Sequence, residues 1–486
     1  MLKAFGIVSI FASLGFIVTH QVPEKEKNSL FADEKAVNRP GTGETAMASP
    51  ETNYKNYCAG CHGEKMDAFV DRKWKHGNTE QDLFKAIKVG YPDDGMPGFD
   101  SAFTDDEIKD LVDYIVTGIK NVNRYNFKEP VRSNIFKTES LTIRLDTVMS
   151  GINIPWGMAF LPGGEMLVTE RGGKIFRVTK NKELIPVTGG PEVIAQGQGG
   201  LLDIELHPDF KNNQLLYLSY SLGKKSDTGD LATTAVMRAR LNGNTFEQQQ
   251  NIFEALPYSK TRHHYGSRLE FGKDGFLYIT VGDRGNTFGN PQNLGSHGGK
   301  THRVKDDGSI PADNPFVNTP GAMPSIYSYG HRNAQGMVMH PTTGTIWVNE
   351  HGPRGGDEIN VVEKAKNYGW PVISYGINYD GTVLTKNSAS PGMEQPFLYW
   401  IPSIGPSGMA FVTGNRYKPW KDHLLVGSLR FKYLDLCIIK NNKVVKEEML
   451  FKNIGRVRDV RMGPDGYIYL AVENPGAIFR LVPVKG

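Results

Sequence analysis

A mainly β protein, built as a six-bladed β-propeller and preceded by a small all-α domain, is what this 486-residue sequence predicts. Three observations carry that expectation. A turn followed by a short apolar run recurs six times along the C-terminal part of the chain. The 55 glycines and 28 prolines supply the turns such a body needs. Two of the three cysteines stand close together in a helical-looking stretch near the N-terminus. The net charge of +4 is spread without any block of like charges, so nucleic acid is not an expected partner.

In chain order, residues 1–20 carry one lysine and then an apolar run from Ala4 to Val18, the architecture of a signal peptide. The run is short for a membrane span, yet no clear small-x-small cleavage site follows it. Signal peptide and retained membrane anchor both stay open, and a periplasmic or otherwise exported protein is expected. Residues 21–48 are polar with little apolar pattern and read as a linker.

Residues 49–122 form the predicted helical domain. Ser49-Pro50 is a helix start, and Tyr54, Tyr57, Cys58 and Cys61 share a face by their spacing. Thr104 to Glu107 fits a capping box, Ile108, Leu111, Val112 and Ile115 form the stripe behind it, and Gly118 is the expected end. The segment CAGCH, Cys58 to His62, has no further cysteine pair or H-x-x-H to complete a zinc site, and no buried strand ahead of it for a thioredoxin-like pair. Covalent haem c uses every residue: Cys58 and Cys61 supply two thioethers and His62 an axial ligand. Met96, in DDGMPGF, is the expected sixth ligand, with Met66 and His76 as rivals. A Gly-Met-Pro loop in this place resembles small class I cytochromes c.

After a linker at 123–138, the body at 139–486 changes texture. Its repeats are GGEMLVTE, NNQLLYLSY, DGFLYITVGD, GTIWVNE, DHLLVGS and DGYIYLAVE, at irregular spacings of roughly 45 to 80 residues. A pair of sandwiches would not repeat six times. Propellers bind ligands where blade loops converge, so the polar residues just after these runs are the candidates.

Several stand out. TRHHYGSR holds His263 and His264, which point to opposite sides if the backbone is extended. A histidine is suited to take a proton near neutral pH, though one exposed histidine is also ordinary surface. Arg456 and Arg458 share a strand face; such pairs are often salt-bridged, but with Arg332 and Arg430 on converging loops they would cradle a polyanionic ligand.

The segments GQGGLLDIELHPDF, TRHHYGSRL, GHRNAQG, HGPRGGDEIN with NYGWP, and RVRDV are similar, in order and over most of the body, to the soluble pyrroloquinoline quinone (PQQ) glucose and aldose sugar dehydrogenase family, the sorbosone dehydrogenase-like propellers. The resemblance implies that His264 is the general base for the sugar's C1 hydroxyl. It implies that Arg332 and Asn333 lie over the quinone, and that Gln198 faces sugar and cofactor. Arg456 and Arg458 would hold PQQ carboxylates, with Arg430 in place of a lysine. The carbonyls of Gly352 and Pro353 would bind a calcium ion at PQQ, and Glu358 and Tyr368 a second calcium. For Glu358 a turn-capping role is the competing assignment. His263 and His351 depart from the glucose-type pattern, so broad aldose use is expected rather than D-glucose alone.

Together these expectations describe an exported quinohaemoprotein that oxidises aldoses at C1 to lactones and passes electrons through haem c to an external acceptor such as another cytochrome or a cupredoxin. A calcium-dependent lactone hydrolase and a non-catalytic ligand-binding propeller are the alternatives. Cys437, in the apolar LDLCIIK, is expected to be a buried structural thiol.

Overall fold

The six repeats are the second strands of six blades. The computed structural model describes residues 49–58, 74, 76–92, 96–120, 131, 133–227, 229–379 and 383–484. The N-terminal segments 1–20 and 21–48, Cys61, His62, Met66 and residues 123–130 and 132 of the 123–138 linker lie outside the described residues. Five blades are four-stranded antiparallel sheets spanning 155–187, 201–254, 269–329, 334–400 and 406–450, which we number 1 to 5. Blade 6 has five strands: three from 457–484, then 142–150 and 135–137. The N-terminal strand of the body thus pairs with the C-terminal one, Thr142 opposite Val484, and closes the ring.

The repeats are apolar without alternation because both faces of each second strand are covered by neighbouring blades; Met166–Glu170, Leu277–Val281, Ile346–Glu350, Leu424–Ser428 and Ile468–Val472 are buried throughout. The core is accordingly divided into interblade layers. One holds Leu167 and Ile175 of blade 1 with Leu216 and Leu218 of blade 2. Another holds Met158 and Val168 of blade 1 with Tyr469 and Ile478 of blade 6. Each fully buried Leu or Ile stabilises by about 1.5–3 kcal/mol relative to exposure. Cys437 is fully buried in such a layer, on the strand Leu434–Lys440, as its sequence implied.

Antiparallel pairing puts the start of each first strand beside the end of each second strand. Pro155 lies opposite Glu170, Leu201 opposite Tyr220, Ala334 opposite Glu350, and Pro406 opposite Ser428. Polar residues at these two positions in every blade therefore meet at one end of the channel.

In the helical part, Ser49 caps Pro50–Asn53 by accepting from the Thr52 amide at 3.2 Å. The helix then widens into a π turn over Tyr54–Cys58. Tyr54 and Cys58 are buried in the core, whereas Tyr57 is 51% exposed and lies at the rim of the same cluster, its ring edge to face with buried Phe103 at 4.9 Å. The wider i→i+5 turn keeps i+4 on the face and moves i+3 to its edge. Thr104 and Glu107 make the expected reciprocal cap for the helix Asp105–Lys120. That helix runs past Gly118, whose cost of about 1 kcal/mol relative to alanine does not by itself stop a helix. Among the described residues no helix is long and apolar enough to cross a membrane.

Candidate active site at the propeller mouth

The site is a set of turns at the starts of first strands and the ends of second strands. His264 precedes the first strand of blade 3 and has φ +56, a left-handed conformation that costs a non-glycine residue about 1 kcal/mol or more. The backbone is therefore not extended there. The rings of His263 and His264 lie edge to face at 4.5 Å instead of on opposite sides. The His264 amide donates to Gln198 Oε1 at 2.7 Å, which ties blade 3 to blade 2.

His264 Nδ1 is 2.7 Å from Asp283 Oδ1, and Asp283 is fully buried at the end of the third repeat. A carboxylate only accepts, so Nδ1 carries the hydrogen and Nε2 keeps a lone pair. Burial pushes the His264 imidazole down to about 4, against the pull of Asp283 and aided by the Arg332 charge. The base is unprotonated at neutral pH. Burial favours protonated Asp283, but His264 and Arg332 outweigh it and hold the carboxyl below its usual range. Trp370 Nε1 donates to the other oxygen of Asp283 at 2.9 Å.

Arg332 and Asn333 precede the first strand of blade 4. The Arg332 amide donates to Glu350 at 2.6 Å and its guanidinium to the His351 carbonyl at 2.9 Å. Arg332 Nε and Asn333 Nδ2 are buried donors with no partner among the described residues. Orphaned donors of this kind cost about 1–3 kcal/mol each unless a ligand satisfies them.

Across the channel Glu473, at the end of the sixth repeat, accepts from both arginines of blade 6: Arg456 Nε at 2.7 Å and Arg458 Nε at 2.7 Å. Burial works against its charge, but Arg458 and Arg456 outweigh that and keep it ionised. The two arginines share a face, as their spacing required. Their carboxylate partner was not singled out in the sequence, although it closes a repeat. A 130 Å³ cavity is lined by Gln198, Gly266, His351, Arg456, Arg458 and Glu473, among others. His351 also borders a second cavity of 400 Å³, together with Gly352, Pro353, Tyr379 and Arg430. Burial pushes His351 down to about 3, and its Nε2 donates to the Pro406 carbonyl at 2.7 Å.

Of the predicted residues, Gln198, Arg456 and Arg458 line the inner cavity and Gly352, Pro353 and Arg430 the outer one, while His264 stands next in the chain to Tyr265 of the inner wall. Arg430 lies on the outer one, with its guanidinium 3.1 Å from the Ser403 carbonyl. Asp357 accepts from the amides of Gly352 at 2.8 Å and Gly405 at 2.7 Å, folding the Gly352–Gly356 turn tightly. A Cβ at Gly352 would stand 2.1 Å from the Gly356 carbonyl, so only glycine fits. Glu358 and Tyr368 line neither cavity and gather around Glu350 instead. Asn360 bridges Glu350 at 2.9 Å and Glu358 at 3.2 Å, and the Tyr368 ring stacks on His331, itself 2.8 Å from Glu350. Burial and the Glu350 charge push Glu358 up to about 8. Among the described residues no group of three or more His, Cys, Asp or Glu side chains is arranged to hold a metal. The backbone carbonyls of the Gly352–Gly356 turn are oxygen donors of the kind that suits a hard cation.

In the helical part, Met96 pairs with Tyr91 through two backbone hydrogen bonds of 2.8 and 3.1 Å and packs on the apolar cluster that contains buried Cys58. Its rival His76 stacks on Tyr91 at 3.5 Å.

Comparison with known proteins extends these observations. Residues 152–480 match the family model "Glucose / Sorbosone dehydrogenase", and residues 45–115 match "Cytochrome C oxidase, cbb3-type, subunit III". The chain is 41% identical over 350 residues to Aldose sugar dehydrogenase YliI of Escherichia coli, covering 70% of this chain and 93% of that protein. The apo crystal structure of soluble aldose sugar dehydrogenase from Escherichia coli superposes with a TM-score of 0.67 at 38% identity, covering 70% of this chain and 100% of that one. A PQQ-bound aldose sugar dehydrogenase from Streptomyces coelicolor gives 0.58 at 29% identity, with 70% and 98% covered.

Proposed function

The chain belongs to the glucose/sorbosone dehydrogenase family and carries a cytochrome c domain at its N-terminus, and on that premise we propose an exported quinohaemoprotein that oxidises the C1 hydroxyl of aldose sugars to lactones. When bound, PQQ would supply a hydride acceptor, calcium the polarisation of its reactive carbonyl, and haem c a one-electron route to an external cytochrome or cupredoxin.

The observation that carries the proposal is the His264–Asp283 pair, neutral at the imidazole, beside a donor-rich cavity. His264 Nε2 takes the C1 hydroxyl proton, and Asp283 stabilises the imidazolium that results. Arg332 places a buried positive charge at the same place, where negative charge would develop. Arg332 Nε and Asn333 Nδ2 offer unfilled donors to a quinone's oxygens, and Gln198, on the cavity wall, would face both sugar and cofactor. Arg456 and Arg458 are pre-set by Glu473 to receive carboxylates, with Arg430 on the outer wall. The carbonyls of Gly352 and Pro353 would bind calcium at PQQ, while Glu358 and Tyr368 would hold the second calcium. In the helical domain, Cys58 and Cys61 would form thioethers, and His62 and Met96 would ligate the iron. The exposed His263 and the buried His351 reshape the sugar-facing wall toward broad aldose use. We assign 49–122 to the cytochrome c domain, 139–486 to the dehydrogenase, and 1–20 to a signal peptide or anchor.

The test is the visible spectrum of the oxidised protein reconstituted with PQQ and calcium, before and after an aldose is added. The reduced haem α band is expected only when all three are present. A dye reduced while the haem stays oxidised would remove the relay but keep the dehydrogenase. No reduction of either across a panel of aldoses would overturn the function.

A further inference from the structure

Trp370, in the NYGWP segment, comes from blade 4, yet it touches both working halves of the site. Its indole Nε1 donates to Asp283 Oδ2 at 2.9 Å, and the Arg332 guanidinium lies 5.2 Å from its ring. It is only 7% exposed, and its backbone is fixed from two sides. The amide donates to the Gly330 carbonyl at 2.8 Å, and the carbonyl accepts from Gln292 Nε2 at 2.8 Å.

We propose that Trp370 is a positioning residue that sets the proton affinity of His264 through Asp283 and, with its ring face, holds the Arg332 guanidinium in place. The proposal rests on the role given to His264 above. Asp283 Oδ1 accepts from His264 Nδ1 and from the Gly285 amide at 2.8 Å, so Oδ2 is the oxygen left for outside control. Donation to Oδ2 stabilises the anion and lowers its appetite for a proton. The hydrogen then stays on His264 Nδ1, and the carboxylate pulls on it less, which keeps Nε2 from becoming too basic to be free at neutral pH. The other charged or titratable groups around His264 are Arg332, His263 and His351. None of these touches Oδ2. The cation–π contact serves the second half, holding the guanidinium against the face of the ring.

Trp370→Phe removes the N–H and keeps a ring; Trp370→Leu removes both. In the protein without PQQ, NMR titration of the His264 ring should move to higher pH in the Phe variant, by about half a unit or more. An unmoved His264 titration in a Phe variant that melts like the wild type overturns the proposal. In the loaded enzyme the Leu variant should lose more kcat than the Phe variant with a smaller change in KM; equal losses would overturn the role of the ring. Should the Phe variant fail to fold, the wild-type Trp370 indole proton gives the answer. A resonance shifted downfield, and returned by Asp283→Asn, supports the hydrogen bond; an unshifted one refutes it. The titration and the indole signal need no sugar oxidation, so they stand or fall apart from the dehydrogenase assignment.

Discussion

Arg268 and Arg332 each stand at the inner strand of a blade and each is buried, 1% and 6% exposed, yet their surroundings are opposite in kind. Arg268, deeper in the channel, bonds Asp203 at 3.1 Å, Asp459 at 2.8 Å and the carbonyls of Gln335 and Arg458, with its face on Trp156 at 4.2 Å. Arg461 joins the same two aspartates at 2.9 and 3.1 Å. Arg332, at the mouth, makes one side-chain hydrogen bond, lies against Trp370, and leaves Nε unfilled. A closed network ties blades 2, 3 and 6 together, whereas an open one is poised for something that arrives later. Burial alone does not mark a functional arginine, and an unfilled donor marks one only together with its place at the mouth, since Arg284 and Arg480 also keep an unpartnered Nε.

The largest expected effect falls on the closed network. Arg268→Met leaves Asp203 and Asp459 facing each other underpaired, and urea unfolding should show a loss of about 3–5 kcal/mol. A loss under 1 kcal/mol would mean that the channel charges are not a clasp. His264→Asn, which tolerates the left-handed backbone, should lower kcat about 10²–10⁴-fold with little change in the unfolding midpoint. Arg332→Met should behave likewise at the mouth, losing roughly 10²–10³-fold in kcat while unfolding almost like the wild type. If it unfolds as easily as Arg268→Met, the contrast drawn here fails.

Acidification probes the mouth, together with the buried His297 of blade 3. Burial holds His264 at about 4, His297 at about 4 and His351 at about 3 in the folded protein, against an unfolded value near 6.5. These depressed values give stability that is complete above about pH 6.5 and is lost as pH falls from there toward 4, at up to about 1.4 kcal/mol per unit and group. Urea midpoints at pH 7.5, 5.5 and 4.5 should fall in that order, and less steeply in His264→Asn. Arg430→Ala gives the smallest effect: stability within about 0.5 kcal/mol of wild type, with PQQ affinity, measured by titration, lowered several-fold.

Much of this was legible because the constraint was local. Six second strands covered on both faces read as apolar runs without alternation, and the residues ending them, Asp283, Glu350 and Glu473 among them, fall at the mouth. Arg456 and Arg458 needed only the two-residue period of a strand. Convergence across blades was not legible. Asp283 reaches His264 only through the φ of +56 at His264, and Trp370 and Glu473 arrive from turns far along the chain. A helical spacing rule also put Tyr57 deeper than it lies, since the π turn that moves it to the rim of the cluster has no sequence signal as plain as a cap.

Ring closure has a consequence for how the molecule comes into being. The strand 142–150 finds its partner, 477–484, only after roughly 340 further residues have been made, one of the longest waits a chain of this size allows. At usual elongation rates that is tens of seconds during which this strand has only the short strand 135–137 to pair with. The helical domain has left the ribosome by then. The propeller, and with it the mouth that draws on its last blade for Arg456, Arg458 and Glu473, is completed only at the final strand.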